Sequence, residues 1–575
     1  MEKRLIIAII LSVAIILLWN TLFPPPKPKR AKRVVPQQEE KELPPPEEAY
    51  PLKEREKEGG ATPPPPSLER PSRAPLPPEE EIVVTTDLYA ATFSSRGARL
   101  KSLRLLRYQD KLPLPGVCFV FPFTLLYGNH QPQHEFEPKD LVSVQGAGNY
   151  PLHSTFEGPE TGYFAEASFS ADTGSLELYN DKPRGEITFS WTSKEGVLFT
   201  KTFVFSNDNY FIDYNFTIAN NSNKPLEGSP VVEWTTAAEQ PGKKKKGGLF
   251  GGMGGDIPKL LYLISDEVNR KELTDIQEKE AFSGEIKWAG FEDKYFISAL
   301  IPGNSQNLTI KTYRGINGVV GLKLASPSIS IPPNTQQTFP FALYLGPKDM
   351  GDLEKGKGEL GRVLSFGFWD PVAKPMLFIL KLFYKFIPNY GLAIIFLSVL
   401  IKVVFWPLTH KGQKSMKEMQ KGMQALQPKL AELKEKYKNN KDELNRRTME
   451  LYKTHKVNPL GGCLPLLIQF PVFIALYRVL LSSIELRHAP FISFWINDLA
   501  TKDPTYISPL VMGASMFVQQ KMTPTAGDPT QAKMMLLMPI VFTFMFLNFP
   551  LGLVFYWLVS NVLSIGQQYY VNKHS

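Results

Sequence analysis

The sequence predicts a six-span α-helical membrane protein that carries a large all-β domain. One apolar run lies at the N-terminus and five more follow residue 388, which is typical of a multi-span membrane protein. Between residues 81 and 347, short runs alternate apolar and polar side chains, the period of half-buried strands. A proline-rich segment separates the first apolar run from these strands, and 575 residues suffice for several domains.

The first apolar run, Leu5–Phe23, has nineteen residues without a charge and is long enough to span a bilayer. The run has Trp19 near its end and is followed by Pro24. It lacks the small residues of a signal-peptide cleavage site. Residues 1–23 are therefore predicted to form an uncleaved anchor. Residues 24–80 contain seventeen prolines, which predicts a disordered spacer, with a proline-rich recognition site as the alternative.

Residues 81–347 are predicted to form one large antiparallel β-sandwich. Ile212, Tyr214, Phe216 and Ile218 alternate with polar residues, so these four side chains should face a core. Similar runs recur along the segment, with Asn, Gly and Pro between them as turn residues.

Residues 370–388 are predicted to form an amphipathic helix that lies in the membrane interface and contacts lipids. Lys374, Lys381 and Lys385 are spaced 7 and 4 apart and share one helical face, while apolar residues cover most of the rest. The alternative is an ordinary core helix of the preceding domain.

Residues 389–575 are predicted to form a five-helix core, with spans at about 389–408, 462–483, 505–522, 534–549 and 551–571. The segment between His410 and Asn458 has thirteen basic and six acidic residues, which predicts a cytoplasmic location. Both termini are then cytoplasmic, and the β-domain lies on the opposite side of the membrane. Five cations directly after the first apolar run favour the reverse orientation, but the thirteen basic residues of the later segment outnumber them.

The cytoplasmic segment 409–458 is predicted to be an antiparallel helical hairpin. Its first helix has apolar residues at alternating spacings of 3 and 4, a heptad seam: Met416, Met419, Met423, Leu426, Leu430, Leu433 and Tyr437. This surface is a candidate contact for a ribosome, a nascent chain or a targeting factor, and the alternative is a solvated hairpin. The net charge of +9 forms no single basic patch, so direct nucleic-acid binding is not predicted.

Lys402 is the only charge in the apolar segment 389–408. A cation inside a bilayer costs roughly 2.5–3.5 kcal/mol on insertion scales, so it normally faces protein or water. Lys402 is therefore a candidate functional residue. The alternative is that its long side chain extends to the cytoplasmic headgroups.

Several long segments closely resemble the YidC-type membrane protein insertases (the YidC/Oxa/Alb family): HKVNPLGGCLPLLIQFPVFIALYRVL, FVQQKMTP, NFPLGLVFYWLVSN and, in the β-domain, WAGFEDKYFISALIP. The resemblance implies a periplasmic β-supersandwich domain and a location in the bacterial inner membrane. It implies a non-enzymatic insertase and chaperone for nascent membrane proteins, working alone or with the Sec translocon. No cofactor and no metal ion are expected.

The same resemblance implies a hydrophilic substrate groove around Lys402, whose position usually carries Arg in the family. Arg forms a bidentate fork that Lys lacks, so the departure changes the expected hydrogen bonding while the charge is kept. Ser398 lies one turn from Lys402. The other implied groove residues are Gln469, Phe473, Gln520, Tyr556, Trp557 and Asn561. Each could instead serve only in helix packing or interhelical hydrogen bonding.

Three other functions are alternatives for a protein of this composition. A secondary transporter would show internal repeats and paired interrupted helices, and the sequence contains no such repeat. A sugar-processing outer domain is the second, because β-supersandwich folds include mutarotases, but no convincing catalytic constellation stands out. A scaffold that docks the Sec translocon is compatible with insertion.

Overall fold

The computed structural model describes residues 78–574 except 113, 115–117, 119–136, 145–148, 159–166, 239–257, 277–278, 316–317, 357, 439, 456–463 and 523–528. The predicted anchor, and the predicted spacer up to residue 77, lie outside the described residues.

The first part of the described chain is built from strands, in agreement with the alternating sequence pattern. The strands are β1 Glu81–Thr85, β2 Tyr89–Ser94, β3 Arg99–Gln109, β4 Pro138–Asp140, β5 His153–Glu157, β6 Ser170–Ala171, β7 Ser175–Glu177, β8 Arg184–Thr192, β9 Val197–Ser206, β10 Phe211–Asn220, β11 Leu226–Ala237, β12 Lys259–Ile264, β13 Glu267–Glu272, β14 Lys279–Gly284, β15 Ile286–Glu292, β16 Phe296–Pro302, β17 Leu308–Arg314, β18 Val319–Ala325, β19 Ile329–Ile331 and β20 Thr335–Pro347.

The strands form three sheets rather than the two of a simple sandwich. Their orders are β4-β3-β2-β1-β7, then β13-β12-β15-β16-β20-β10-β9-β8-β6, and β14-β17-β18-β11-β19 with β5 beside β11. The β1–β7 pair is parallel, a departure from the predicted antiparallel arrangement. Alternation along a strand decides which side chains face inward, but it does not decide which strands become neighbours.

The core of the β-domain is aromatic. Ile212, Tyr214, Phe216 and Ile218 of β10 are all buried, so the predicted inward face of this strand is confirmed. Phe203 on β9 connects two sheets, because its ring centroid lies 4.7 Å from Tyr214 and 4.8 Å from that of Phe93 on β2. Tilted and stacked rings at this separation add to the free energy of burial.

Helices follow β20 after a helical turn at Met350–Leu353 and short 3₁₀ turns at Leu360–Val363 and Gly367–Trp369. Their bounds are α1 Asp370–Phe386, α2 Tyr390–Val404, α3 Trp406–Lys436, α4 Lys441–Thr454, α5 Leu464–Ser482, α6 Ile507–Met522, α7 Pro529–Phe546 and α8 Leu551–His574.

The helix predicted over 389–408 is interrupted at Phe405, so α2 ends at Val404 and α3 begins at Trp406. Pro407 explains the break, because proline has no amide hydrogen and its ring clashes with the carbonyl four residues earlier. Within the described residues, no helix alone has both the length and the apolar character of a membrane span. The pair Tyr390–Val404 and Trp406–Lys414 meets both requirements together, across a bend of 61°.

The amphipathic helix α1 has one apolar face against the rest of the protein and another exposed. Met376, Leu377 and Leu380 are buried, whereas Phe378 and Phe386 are 67% and 74% exposed. Lys381 forms ion pairs with Asp349 at 2.8 Å and with Glu485 at 3.3 Å. These ion pairs join α1 both to the segment after β20 and to the loop between α5 and α6.

Candidate functional site

Lys402 lies in the last turn of α2, and its side chain is directed at another helix. The ammonium Nζ donates a hydrogen bond of 2.6 Å to the hydroxyl oxygen of Ser564 on α8. None of the described carboxylates forms an ion pair with Lys402. The cation is therefore held by a neutral acceptor across a helix–helix contact.

Ser398, one turn before Lys402, is buried in the same helix. Its hydroxyl donates to the backbone oxygen of Ile394 at 2.7 Å, a bond within α2. Ser398, Lys402 and Tyr556 line one small cavity of about 20 Å³, together with Ser560. A space of this size suits about one water molecule.

A larger cavity of about 230 Å³ lies between α5, α6, α7 and α8. Four of the predicted groove residues line it: Phe473, Gln520, Trp557 and Asn561. Ser560 lines both this cavity and the smaller one. The residues singled out in the sequence are thus divided between two adjoining cavities.

The larger cavity combines aromatic and amide groups. The rings of Phe473 and Trp557 meet edge to face with centroids 4.8 Å apart. Asn561 donates from Nδ2 to the Ser515 hydroxyl oxygen at 3.0 Å. Gln520 Nε2 is buried without a hydrogen-bond partner among the described residues, which leaves a donor available to an occupant.

The position of Gln469 is given only in part. Its backbone belongs to α5, but its side chain lies outside the described residues. Its predicted place in the groove therefore stays a prediction.

Several polar residues of α8 were missed by the sequence analysis. Ser560, Ser564, Gln567 and Gln568 are all less than one-tenth exposed. Gln567 Nε2 donates to the Thr409 hydroxyl at 3.0 Å, and Gln568 Nε2 donates to the Met522 backbone oxygen at 3.0 Å. The signal was present, because positions 560, 561, 564, 567 and 568 follow the spacing of one helical face.

The hairpin α3–α4 carries the predicted basic segment. Leu426 of the heptad seam is buried, whereas the side chains of Met416, Met419 and Met423 lie outside the described residues. Lys429 Nζ lies 3.3 Å from His455 Nε2. Residue His455, which follows α4, thus contacts α3, and the cytoplasmic hairpin over 409–458 stays a prediction.

A strand-rich domain followed by a bundle of apolar helices, with polar side chains directed into the bundle, defines a membrane protein with an extramembrane β-domain. Two family profiles match the chain. One is described as YidC periplasmic domain, over residues 81–379, and the other as 60Kd inner membrane protein, over residues 382–575.

The chain is also similar to known proteins over most of its length. It is 43% identical to the membrane protein insertase YidC of Geobacter sp. (strain M21) over 86% of each chain. It is 41% identical to that of Citrifermentans bemidjiense over 100% of this chain and 99% of the relative. A crystal structure of active YidC insertase with the first transmembrane domain resolved is 17% identical, covering 86% of this chain and 93% of its own, with a TM-score of 0.35.

The chain therefore belongs to the YidC family of membrane protein insertases. It is an inner membrane protein with a β-sheet-rich periplasmic domain and a helical core, and its activity is non-enzymatic. The names of these relatives state that they insert membrane proteins.

Proposed function

We propose that the insertase works through a hydrophilic groove formed by the two adjoining cavities, in which Lys402 attracts acidic segments of the substrate. The observation that carries this proposal is the cavity of about 230 Å³ within apolar helices, lined by both amide and aromatic side chains. Amides would bind the polar part of a passing chain, and Phe473 and Trp557 its apolar part.

The energetics favour such a groove. Transfer of an apolar residue into lipid changes the free energy by roughly −0.3 to −0.6 kcal/mol, so twenty such residues contribute about −6 to −12 kcal/mol. The inserted end state therefore needs no ATP. The barrier lies in the hydrophilic tail, because each charge costs several kcal/mol at the bilayer centre. A wet groove shortens the apolar path. A membrane potential adds about 2.3 kcal/mol per charge per 100 mV and draws a negative tail outward.

The topology that fits this mechanism has six spans with both termini in the cytoplasm. The N-terminal anchor, the proline-rich spacer, the β-domain over 81–347 and the interfacial helix over 370–388 would precede a five-helix core over 389–575. The thirteen basic residues of the hairpin segment support its cytoplasmic location. A substrate would then enter from the hairpin side and leave sideways into lipid along α2, α5 and α7.

The hairpin is the proposed contact for the ribosome, the nascent chain or a targeting factor. The β-domain is the proposed contact for the Sec translocon, so that the protein would act both alone and beside it. Crosslinking from each surface in intact membranes tests these two partners separately.

Purified full-length protein in liposomes tests the mechanism. A small single-span substrate with an acidic tail is added, and the fraction protected from protease is measured for wild type, Lys402→Ala and Lys402→Arg. We expect protection with wild type and Lys402→Arg and a large loss with Lys402→Ala. Equal protection by all three proteins would remove Lys402 from the mechanism.

A further inference from the structure

Ser564 stands between Lys402 and the larger cavity. Lys402 lines the smaller cavity, whereas Ser564 lines the larger one and accepts the ammonium hydrogen bond. The two residues are 162 positions apart in sequence and belong to different helices. The hydrogen bond from the cation therefore ends on a hydroxyl group in the wall of the larger cavity.

The hydrogen bonding of Ser564 makes it an acceptor for the ammonium. A hydroxyl has a single proton, and Ser564 donates that proton to the backbone oxygen of Ser560 at 2.7 Å. Its lone pairs therefore remain for Lys402 Nζ, which has only donors. Ser564 is 7% exposed, so protein covers most of its surface.

A serine hydroxyl suits a lysine at this position. The ammonium is a compact charge for which one well-placed acceptor fixes a direction, whereas a guanidinium presents five donors in a planar fork. Ser398 is the nearest hydroxyl on the same helix, but its recorded hydrogen bond is to the backbone oxygen of Ile394 and not to Lys402. The hydrogen bond that directs the ammonium instead joins it to Ser564 on α8.

We propose that Ser564 is the positioning residue for Lys402: its hydroxyl holds the ammonium against α8, at the wall of the larger cavity and away from the cytoplasmic headgroups. The cation then acts on an acidic segment of the peptide that occupies that cavity. This inference rests on the proposed function, in which Lys402 attracts acidic segments of the substrate.

The test compares two substrates that differ only in an acidic or a neutral tail, inserted by full-length protein in liposomes. Ser564→Ala is expected to slow insertion of the acidic-tailed substrate about tenfold, the scale of one hydrogen bond to a charged group, and to slow the neutral-tailed substrate much less. Ser564→Thr keeps the hydroxyl and should restore the rate. Ser564→Val has the shape of threonine without the hydroxyl and should not.

Ser482→Ala is the matched control. Ser482 also donates to a backbone oxygen four residues earlier, Arg478 at 2.6 Å, but it lies at the end of α5. Its replacement should leave both rates unchanged. Thermal unfolding of every variant shows whether a slow rate reflects a damaged fold.

The outcomes distinguish a failure of the proposed function from a failure of the positioning role of Ser564. If Lys402→Ala inserts both substrates at the wild-type rate, the proposed function fails, and the role of Ser564 fails with it. If Lys402→Ala is slow on the acidic tail while Ser564→Ala is not, the proposed function stands and the positioning role is overturned. Equal slowing of both substrates by Ser564→Ala would also overturn it, because that result indicates a general packing role.

Discussion

The guanidinium of Arg487 lies 5.3 Å from the centroid of the Phe296 ring and joins the loop after α5 to the β-domain. The same guanidinium donates from Nη2 to the backbone oxygens of Gln109 at 2.7 Å and Asp110 at 3.0 Å. Arg487 thus connects the helical core to the end of β3 and to the start of β16. A cation–π contact and two charge-assisted hydrogen bonds stabilise this junction.

Replacing Arg487 with Ala should loosen the junction. We expect a loss of about 2 kcal/mol in the free energy of unfolding, because two partly buried carbonyls lose a charged donor. Hydrogen exchange should become faster at the end of β3 and in the loop after α5. Arg487→Lys should restore only part of the stability, since lysine lacks the planar fork.

The control for this junction is Lys502→Ala, which removes an exposed cation from the same loop. It should leave stability and exchange unchanged. Exchange at β3 that is identical in Arg487→Ala and wild type would show that the two parts are held together by other contacts.

His488 should make stability depend on pH. Burial and the neighbouring Arg487 lower the pKa of His488 to about 4. Its pKa in an unfolded chain is about 6.5, so between these values the unfolded chain binds a proton that the folded protein does not. Stability should therefore fall as the pH is lowered from 6.5 to 4.

The variant His488→Asn isolates this contribution. His488 has a φ of +58°, a conformation that asparagine adopts more readily than most residues. The melting temperature of His488→Asn should fall less steeply than that of wild type between pH 6.5 and 4. The buried His153 also has a lowered pKa, but it is present in both proteins and cancels in the comparison. Parallel curves would contradict the assignment.

Asp503 should be important for the start of α6. Its carboxylate is 1% exposed and accepts four hydrogen bonds. These come from the amide and hydroxyl of Thr505, at 2.8 and 2.7 Å, and of Ser508, at 2.7 and 2.5 Å. Asp503→Ala is expected to cost about 2–3 kcal/mol, because hydrogen bonds to a charged acceptor are lost and buried donors remain.

The graded comparison is Asp503→Asn, which keeps one acceptor oxygen and should cost less. Thermal unfolding in detergent measures both variants. If Asp503→Ala has the melting temperature of wild type, water replaces the carboxylate without loss of stability.

Gly513 should be sensitive to a single added methyl group. A Cβ at this position would clash with the Thr543 hydroxyl, and the Thr543 Cβ would be 3.1 Å away. Gly513→Ala is expected to destabilise the protein by about 1–3 kcal/mol through overpacking between α6 and α7. Gly566 on α8 is the matched control, because no described atom lies within 4 Å of its added Cβ. Gly566→Ala should be neutral or stabilising, and equal melting temperatures for the two variants would contradict the packing argument.

The sequence predicted the local structure better than its assembly. The inward residues of β10 followed from periodicity, because that pattern depends on side chains near one another in the chain. The division into three sheets and the parallel β1–β7 pair did not, because strand partners are chosen over long sequence distances. The break at Phe405 was missed although Pro407 was visible in the sequence.

The candidate site shows the same division. Lys402 was identified because a charge inside an apolar run is costly wherever it is found. Ser564 was not identified, because a serine in an apolar helix has many possible roles. Its helical spacing from Asn561 does not predict which residue it contacts. The spacing of the polar residues on α8 predicts that they share one helical face, but it does not predict which residues contact that face.

The amino-acid sequence alone showed where apolar and alternating segments lie, where the basic residues of segment 409–458 are concentrated, and that a cation lies among apolar residues. These properties depend on composition and short-range periodicity. The packed fold was needed to show that Lys402 contacts Ser564 and that Arg487 packs on Phe296. It was also needed to show that the groove residues whose side chains are described line two cavities. Each of these contacts depends on how distant helices and strands pack, which is set by the shape of complete surfaces rather than by any one segment.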